Sequence, residues 1–154
     1  MVRMFNDSAF IASARVQISE QINKCLNDLG GLNSVVKSAN IAKLDDNSLA
    51  LINEVKNGIS QISSLLQNAN TMLSNIEHFL ISDEFPTSQE MQESIKNSGA
   101  DAKALDELDE YKQLSQNTKL KFAFIACNYE LISRMLDSAS ELSVVLLKAT
   151  NKIS

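Results

Sequence analysis

Few side chains in this sequence are of a type and spacing that could carry out chemistry. The single imidazole belongs to His78, which directly follows Glu77, so the two side chains diverge if the segment is helical. A di-iron bundle needs two Glu-x-x-His motifs, and a structural zinc site needs four ligands. One histidine and two cysteines satisfy neither, so we expect no metal, no cofactor and a solvated or helix-capping His78.

Carboxylates are densest shortly after the middle of the chain. Five fall close together, namely Asp101, Asp106, Glu107, Asp109 and Glu110. A calcium loop of this length would need a glycine at its sharp turn and a bidentate carboxylate at its twelfth position. The first turn of a helix also favours negative charge. We therefore interpret the cluster as an acidic helix start followed by a solvated face, rather than as a cation site or a contact for a basic partner.

Candidate nucleophiles have no visible catalytic partners. Cys25 and Cys127 both fall on apolar helical stripes, which predicts two buried free thiols rather than a disulfide. Serine is abundant, but no serine has an identifiable base and orienting group beside it. We therefore expect the protein not to be an enzyme.

The overall composition restricts the classes of partner and the cellular locations that we expect for the protein. The 154 residues carry a net charge of −5, and the lysines Lys112, Lys119 and Lys121 are diluted by nearby acids, so we expect no nucleic-acid partner. No apolar run approaches the roughly 18 residues of a membrane span, and polar residues interrupt any signal-peptide core. The expected location is cytoplasmic, or exported without a cleaved signal peptide.

The elements that must position any site are helices. With only four Gly and one Pro, the chain has little room for β-turns. Apolar residues follow helical spacing almost throughout, most clearly at Ile52, Val55, Ile59, Ile62, Leu66, Ala69, Leu73, Ile76 and Leu80. A second apolar row at Leu51, Gly58, Leu65, Met72 and Phe79 widens this face, so the helix should touch at least two neighbours.

We predict an all-α fold, an elongated antiparallel bundle of three long helices with coiled-coil-like heptads plus one short helix, in one domain over residues 1–154. The expected helices cover about 7–44 with a kink at Gly30-Gly31, 46–81, 88–97 and 100–151. In the first helix only Arg15 interrupts the apolar stripe.

Capping patterns set the expected helix ends. The predicted caps are Asn6, Asp45, Thr87 with Glu90, and Ser98 with Asp101, and a bend is expected at residues 115–118.

Two surfaces stand out as candidate interfaces. The outer face of the second helix, including Asn57, Gln61, Ser64 and Asn68, is polar, and no charged residue occurs between Asn57 and Ile76. This pattern fits either a source rich in Asn and Ser or a face that meets another protein, where charge would be costly to desolvate.

The last helix is apolar on more sides than one seam requires. Either it lies at the centre of the bundle, or part of it is exposed to a partner. Under the second hypothesis Phe124, Leu131 and Val145 are the expected contacts.

These patterns together predict a non-enzymatic protein–protein interaction module, such as an adaptor, chaperone or assembly subunit, that acts through helical packing. Its partner is another protein or a second copy of the chain. Two alternatives stay open: an exported helical secretion-system substrate or virulence factor, and a helical bundle that binds a ligand or acts as an enzyme.

Overall fold

The computed structural model of the protein describes Phe5, residues 8–39 and residues 41–151, and every regular element among them is helical. In chain order these are α1 (Ala9–Ser38), a short 3₁₀ helix (Ile41–Lys43), α2 (Asp46–Ser82), α3 (Ser88–Ser98), a second 3₁₀ helix (Ala102–Glu107), α4 (Asp109–Lys112) and α5 (Gln116–Thr150). The prediction of an all-α helical bundle is confirmed. The predicted start of the first helix and its Asn6 cap lie outside the described residues.

Two of the predicted N-caps are confirmed by their hydrogen bonds. The Ser48 amide donates to Asp45 Oδ1 at 2.7 Å immediately before α2. At α3, the Glu90 amide donates to Thr87 Oγ1 at 3.2 Å, and the Thr87 hydroxyl donates to the Glu90 carboxylate at 3.0 Å. Both caps satisfy backbone donors that have no partner within the first turn of a helix.

The first helix ends at Ser38, six residues before the predicted end, and it continues through Gly30 and Gly31. Neither glycine has a positive φ, so neither acts as a left-handed cap. Gly99 does take this role, and its φ of 70° ends α3. A glycine fits there because a side chain would be strained in the left-handed region.

The prediction of a continuous helix over residues 100–151 is wrong in its first third. Asp101 caps a 3₁₀ helix, its side chain accepting from the Lys103 amide, and the predicted Ser98–Asp101 capping box does not form. Ser98 instead donates to the Ile95 carbonyl at the end of α3. The long helix begins at Gln116 because the Ser115 hydroxyl accepts from the Thr118 amide, which makes Ser115 a cap where a bend was predicted.

The described residues form two compact units, and α1, α2 and α5 contribute to both. We call the first the aromatic unit; it includes the described residues up to Ser19 together with Asn70–Arg134. We call the second the aliphatic unit; it includes Glu20–Ala69 and the described residues from Met135 onward. The single-domain assignment stays a prediction.

In the aromatic unit, α5 is enclosed on all sides over two turns. Every residue from Phe122 to Tyr129 is buried, so the surplus apolar surface predicted for this stretch of the helix is core. Phe79 of α2 contacts Phe124, with 5.6 Å between ring centroids, and Glu77 lies against Tyr129, so α2 and α5 run antiparallel here. Glu77 also contacts α1, which confirms that α2 touches two neighbours.

In the aliphatic unit, three helices pack through small and branched side chains. The buried positions include Cys25, Leu32, Ile52, Val55, Ile62, Leu66, Ala69, Leu136, Ala139 and Leu146. Hydrogen bonds from Gln21 to Asp137 and from Lys24 to Ser140, both 2.8 Å, show that α1 and α5 run parallel in this unit. Gly58 of α2 lies against Leu146, where any Cβ would collide with the leucine side chain.

Candidate functional site

A cavity of about 270 Å³ opens within the aromatic unit, between α1, α5 and the segment that connects α3 to α5. Its apolar wall is formed by Phe10, Ala14, Ile18, Ala104, Leu105, Leu108 and Ala126. Three of these residues are alanines that come from three different elements. The space therefore exists because small side chains converge at this point.

The polar groups of the cavity lie mainly at its edge. The side-chain amide of Gln17 donates to the Ser133 hydroxyl at 3.5 Å, which links α1 to α5. Asp101 and Glu130 contribute carboxylates, and both side chains are on exposed residues. Among the described residues that line the cavity, none is Lys or Arg. The lining therefore carries two negative charges and no positive one.

Cys127 lines the same cavity but is buried and unpaired with another cysteine. Burial raises the pKa of its thiol, and this effect outweighs the hydrogen bond with Ser98 and the charge of Arg134, which lower it. A raised pKa keeps the sulfur protonated at neutral pH, and only the thiolate is an effective nucleophile. The geometry therefore gives no support to cysteine catalysis. Cys25 is likewise buried and free, with a thiol pKa raised by burial.

A second polar cluster joins the three long helices inside the aromatic unit. Two nitrogens of Arg15 donate to the two carboxylate oxygens of Glu77, at 3.0 and 2.8 Å. The hydroxyl of Tyr129 donates to the same carboxylate at 2.9 Å. Charges that are partly removed from water need such partners, which explains why Arg15 can interrupt an apolar stripe.

The Arg15–Glu77–Tyr129 network links α1, α2 and α5 through hydrogen bonds. Burial, and to a lesser degree the hydrogen bond to Glu77, raises the pKa of the Tyr129 hydroxyl, so it stays protonated. The carboxylate accepts three hydrogen bonds, two from α1 and one from α5, which fix its position between these helices. From the sequence, Arg15 was noted only as the residue that interrupts an apolar stripe, and nothing in the spacing selected Glu77 as its partner.

The structure separates the three interface residues predicted on the last helix. The expectation that Phe124 faces a partner is corrected, because Phe124 is only 5% exposed and its ring lies against Phe79 and Phe85. Leu131 is half-buried beside an open groove whose rim includes Glu90 and Glu93 of α3. Val145 belongs to the aliphatic unit and is 61% exposed.

The four residues predicted on α2 are all exposed in the aliphatic unit: Asn57, Gln61, Ser64 and Asn68. Their spacing of four, three and four places them along one line of the helix.

On α5, Val145 is 61% exposed and directly precedes Leu146, whose side chain lies against Gly58 of α2. We call these five residues the α2/α5 surface.

Among the described residues, no helix is long and apolar enough to cross a membrane. In the same part of the chain, no group of three or more His, Cys, Asp or Glu side chains is placed to hold a metal ion. Comparison of the chain with known protein families, with characterised proteins and with solved structures found no match.

Proposed function

We propose that this protein is a non-enzymatic interaction module that binds a helical segment of another protein through the α2/α5 surface. The observation that carries the proposal is the exposed line of uncharged polar residues on α2, together with the exposed Val145 on α5, whose neighbour Leu146 packs against Gly58 of α2. An exposed helix normally carries charged pairs that keep it solvated. Amides and hydroxyls lose less on desolvation than charges do, so this face is suited to burial against a partner.

The shape of the surface favours a helical partner. The line from Asn57 to Asn68 extends about 16 Å along α2, at 1.5 Å per residue. A second helix laid along this line would bring three turns of side chains within reach of the amides. An apolar residue on that helix would cover Val145 and supply a central apolar contact, the kind that carries much of the binding energy at interfaces.

Site-specific cross-linking in the native cell tests this proposal. A photoreactive phenylalanine derivative at position 61 should trap the partner, whereas the same group at position 16 should not. Val145→Glu should weaken the cross-link while leaving helical content and melting temperature unchanged. Val16→Glu is the matched control, because Val16 is likewise a valine on a helix surface, 59% exposed, but lies on α1 in the aromatic unit.

Three results would contradict the proposal. One is equal cross-linking from positions 16 and 61. The second is an equal loss of cross-linking in the two glutamate variants. The third is a cross-linked product whose mass is that of two copies of this chain, which would replace the foreign partner with self-association.

A further inference from the structure

We infer that the cavity of the aromatic unit is a binding site for a small organic cation with an apolar body, such as a primary amine that carries one ring. This inference is independent of the α2/α5 surface, which lies in the other unit. It depends on the size of the cavity, the side chains that create it and the charges at its edge.

The size of the cavity is suited to a compact ligand. An apolar cavity of about 150 Å³ is already large enough to hold benzene, and ligand pockets commonly range upward from roughly 300 Å³. A volume of about 270 Å³ lies between these values. It accommodates one ring with a short substituent, but not a large cofactor.

The cavity is a departure from the packing of its surroundings. The unit is otherwise filled by contacting aromatic rings, among them Phe10 against Phe122 and Tyr111 against Phe122. Beside them, Ala14, Ala104 and Ala126 leave a gap that one larger side chain would fill. Unfilled apolar space lowers stability, so a ligand that occupies the gap recovers contacts that the protein alone does not make.

The charge at the edge selects a cation. Asp101 and Glu130 approach the cavity from opposite elements, the connecting segment and α5. Two guanidinium groups are near, but neither lines the cavity: Arg15 is paired with the Glu77 carboxylate, and Arg134 donates to the backbone carbonyl of Ser98. An ammonium group at the mouth would face two carboxylates, while the ring would enter the apolar wall.

The experiment uses isotopically labelled full-length protein, with benzylamine and benzyl alcohol as probes in parallel NMR titrations. We expect benzylamine to shift the amide signals of Ala126 and Cys127 saturably, and benzyl alcohol to bind at least about tenfold more weakly. Combining Asp101→Asn with Glu130→Gln should bring the two probes to within about twofold of each other. Asparagine can still cap the 3₁₀ helix at position 101, so the fold should be retained.

Filling the cavity provides a second, independent arm. Ala14→Leu should abolish the shifts, because Ala14 lines the cavity. Ala12→Leu is the matched control: Ala12 is exposed on α1 and does not line the cavity, so this variant should leave the shifts intact. If Ala14→Leu lowers helical content, Ala104→Leu from the connecting segment takes its place.

Either the comparison of the two probes or the cavity-filling variant can overturn the inference. The absence of a saturable benzylamine shift would overturn it, as would equal affinity for the neutral alcohol. Unchanged benzylamine binding in the filled variant would also overturn it, since the probe would then be elsewhere.

Discussion

The aromatic unit and the aliphatic unit are built on the same three long helices, yet their interiors are filled differently. All six Phe and both Tyr of the chain belong to the aromatic unit, and the chain has no Trp. Phe5, Phe79, Phe85, Phe122 and Phe124 form a continuous set of ring contacts there, with centroids 5.6–6.4 Å apart. The aliphatic unit is packed by Ile, Leu, Val, Ala and one buried Cys.

The difference follows from how many elements each unit must bridge. The aromatic unit also contains α3, the second 3₁₀ helix and α4, so its core packs against more elements. Large rings suit such a core because each ring buries much area. The aliphatic unit brings helices close together instead, as at Gly58 against Leu146. One set of helices thus supports a ring-filled interior in one unit and an aliphatic interior in the other.

The largest effect should come from removing the ring at the centre of the aromatic contacts. Phe122 lies against Phe5, Phe10 and Tyr111, so Phe122→Ala should lower the free energy of unfolding by about 3–5 kcal/mol. Urea denaturation measures the loss. Phe10→Ala is the control, since Phe10 is half-buried and should cost clearly less. Equal losses would show that the contacts are not centred on Phe122.

The equivalent test in the aliphatic unit compares two isoleucines one turn apart on α2. Ile62 is fully buried and Ile59 is half-buried. Ile62→Ala should lower the free energy of unfolding by about 2–5 kcal/mol, and Ile59→Ala by less than half of that loss. A similar loss of unfolding free energy at both positions would mean that Ile59 contributes to the core as much as Ile62 does.

The network of Arg15, Glu77 and Tyr129 should give a smaller effect, because its ion pair is about one-third exposed. Glu77→Ala removes the carboxylate that accepts hydrogen bonds from both Arg15 and Tyr129, which should lower the free energy of unfolding by about 1–3 kcal/mol. Glu54→Ala, on an exposed position of the same helix, should change it by less than about 0.5 kcal/mol. Matching thermal melts for the two variants would contradict a structural role for the network.

Two glycine substitutions test the close approach of helices in the aliphatic unit. Gly30→Ala meets nothing within 4 Å, so the gain in helix propensity should raise stability by up to about 1 kcal/mol. Gly58→Ala must displace Leu146, so it should lower stability by about 1 kcal/mol after the same gain is subtracted. Two stabilised variants in calorimetry would show that Leu146 has room to move.

The smallest expected effect is a loss of stability at high pH that arises in the aromatic unit. The pKa of Tyr129 is raised in the folded state, so its contribution is complete below the unfolded value of about 10 and is lost as pH rises above it. At about pH 10.4 the loss should be under about 1 kcal/mol. Tyr129→Phe should remove this component of the pH dependence. If the stability of the wild-type protein and of Tyr129→Phe fell equally with pH above 10, that result would argue against a protonated, buried hydroxyl at Tyr129.

Sequence periodicity predicted the helices well where one pattern dominates, and failed where two physical effects compete. The α2 stripe and the caps at Asp45 and Thr87 depend on local spacing alone, and the structure has them. The segment before Ser115 carries good helix formers, so propensity favoured one long helix. The side-chain caps at Asp101 and Ser115 outweighed it.

The candidate sites were less predictable, because they depend on which elements meet. An apolar residue such as Phe124 has the same pattern whether it is covered by neighbours or exposed to a partner. The cavity was not foreseen at all, since its alanines are far apart in the sequence and have no distinctive spacing. Of the candidate sites, only the uncharged line on α2 could be predicted from the sequence, because all of its residues lie on one face of a single helix.

The parallel arrangement of α1 and α5 in the aliphatic unit has a consequence for biosynthesis. Gln21 and Lys24 are each translated 116 residues before the side chains that they bind. At about 5–20 residues per second, a ribosome needs roughly 6–23 s to reach the α5 residues that Gln21 and Lys24 bind. Throughout that interval the apolar stripe that holds Cys25 and Leu32 lacks its α5 cover. Nascent chains that stall before α5 should therefore aggregate or be held by a ribosome-associated chaperone.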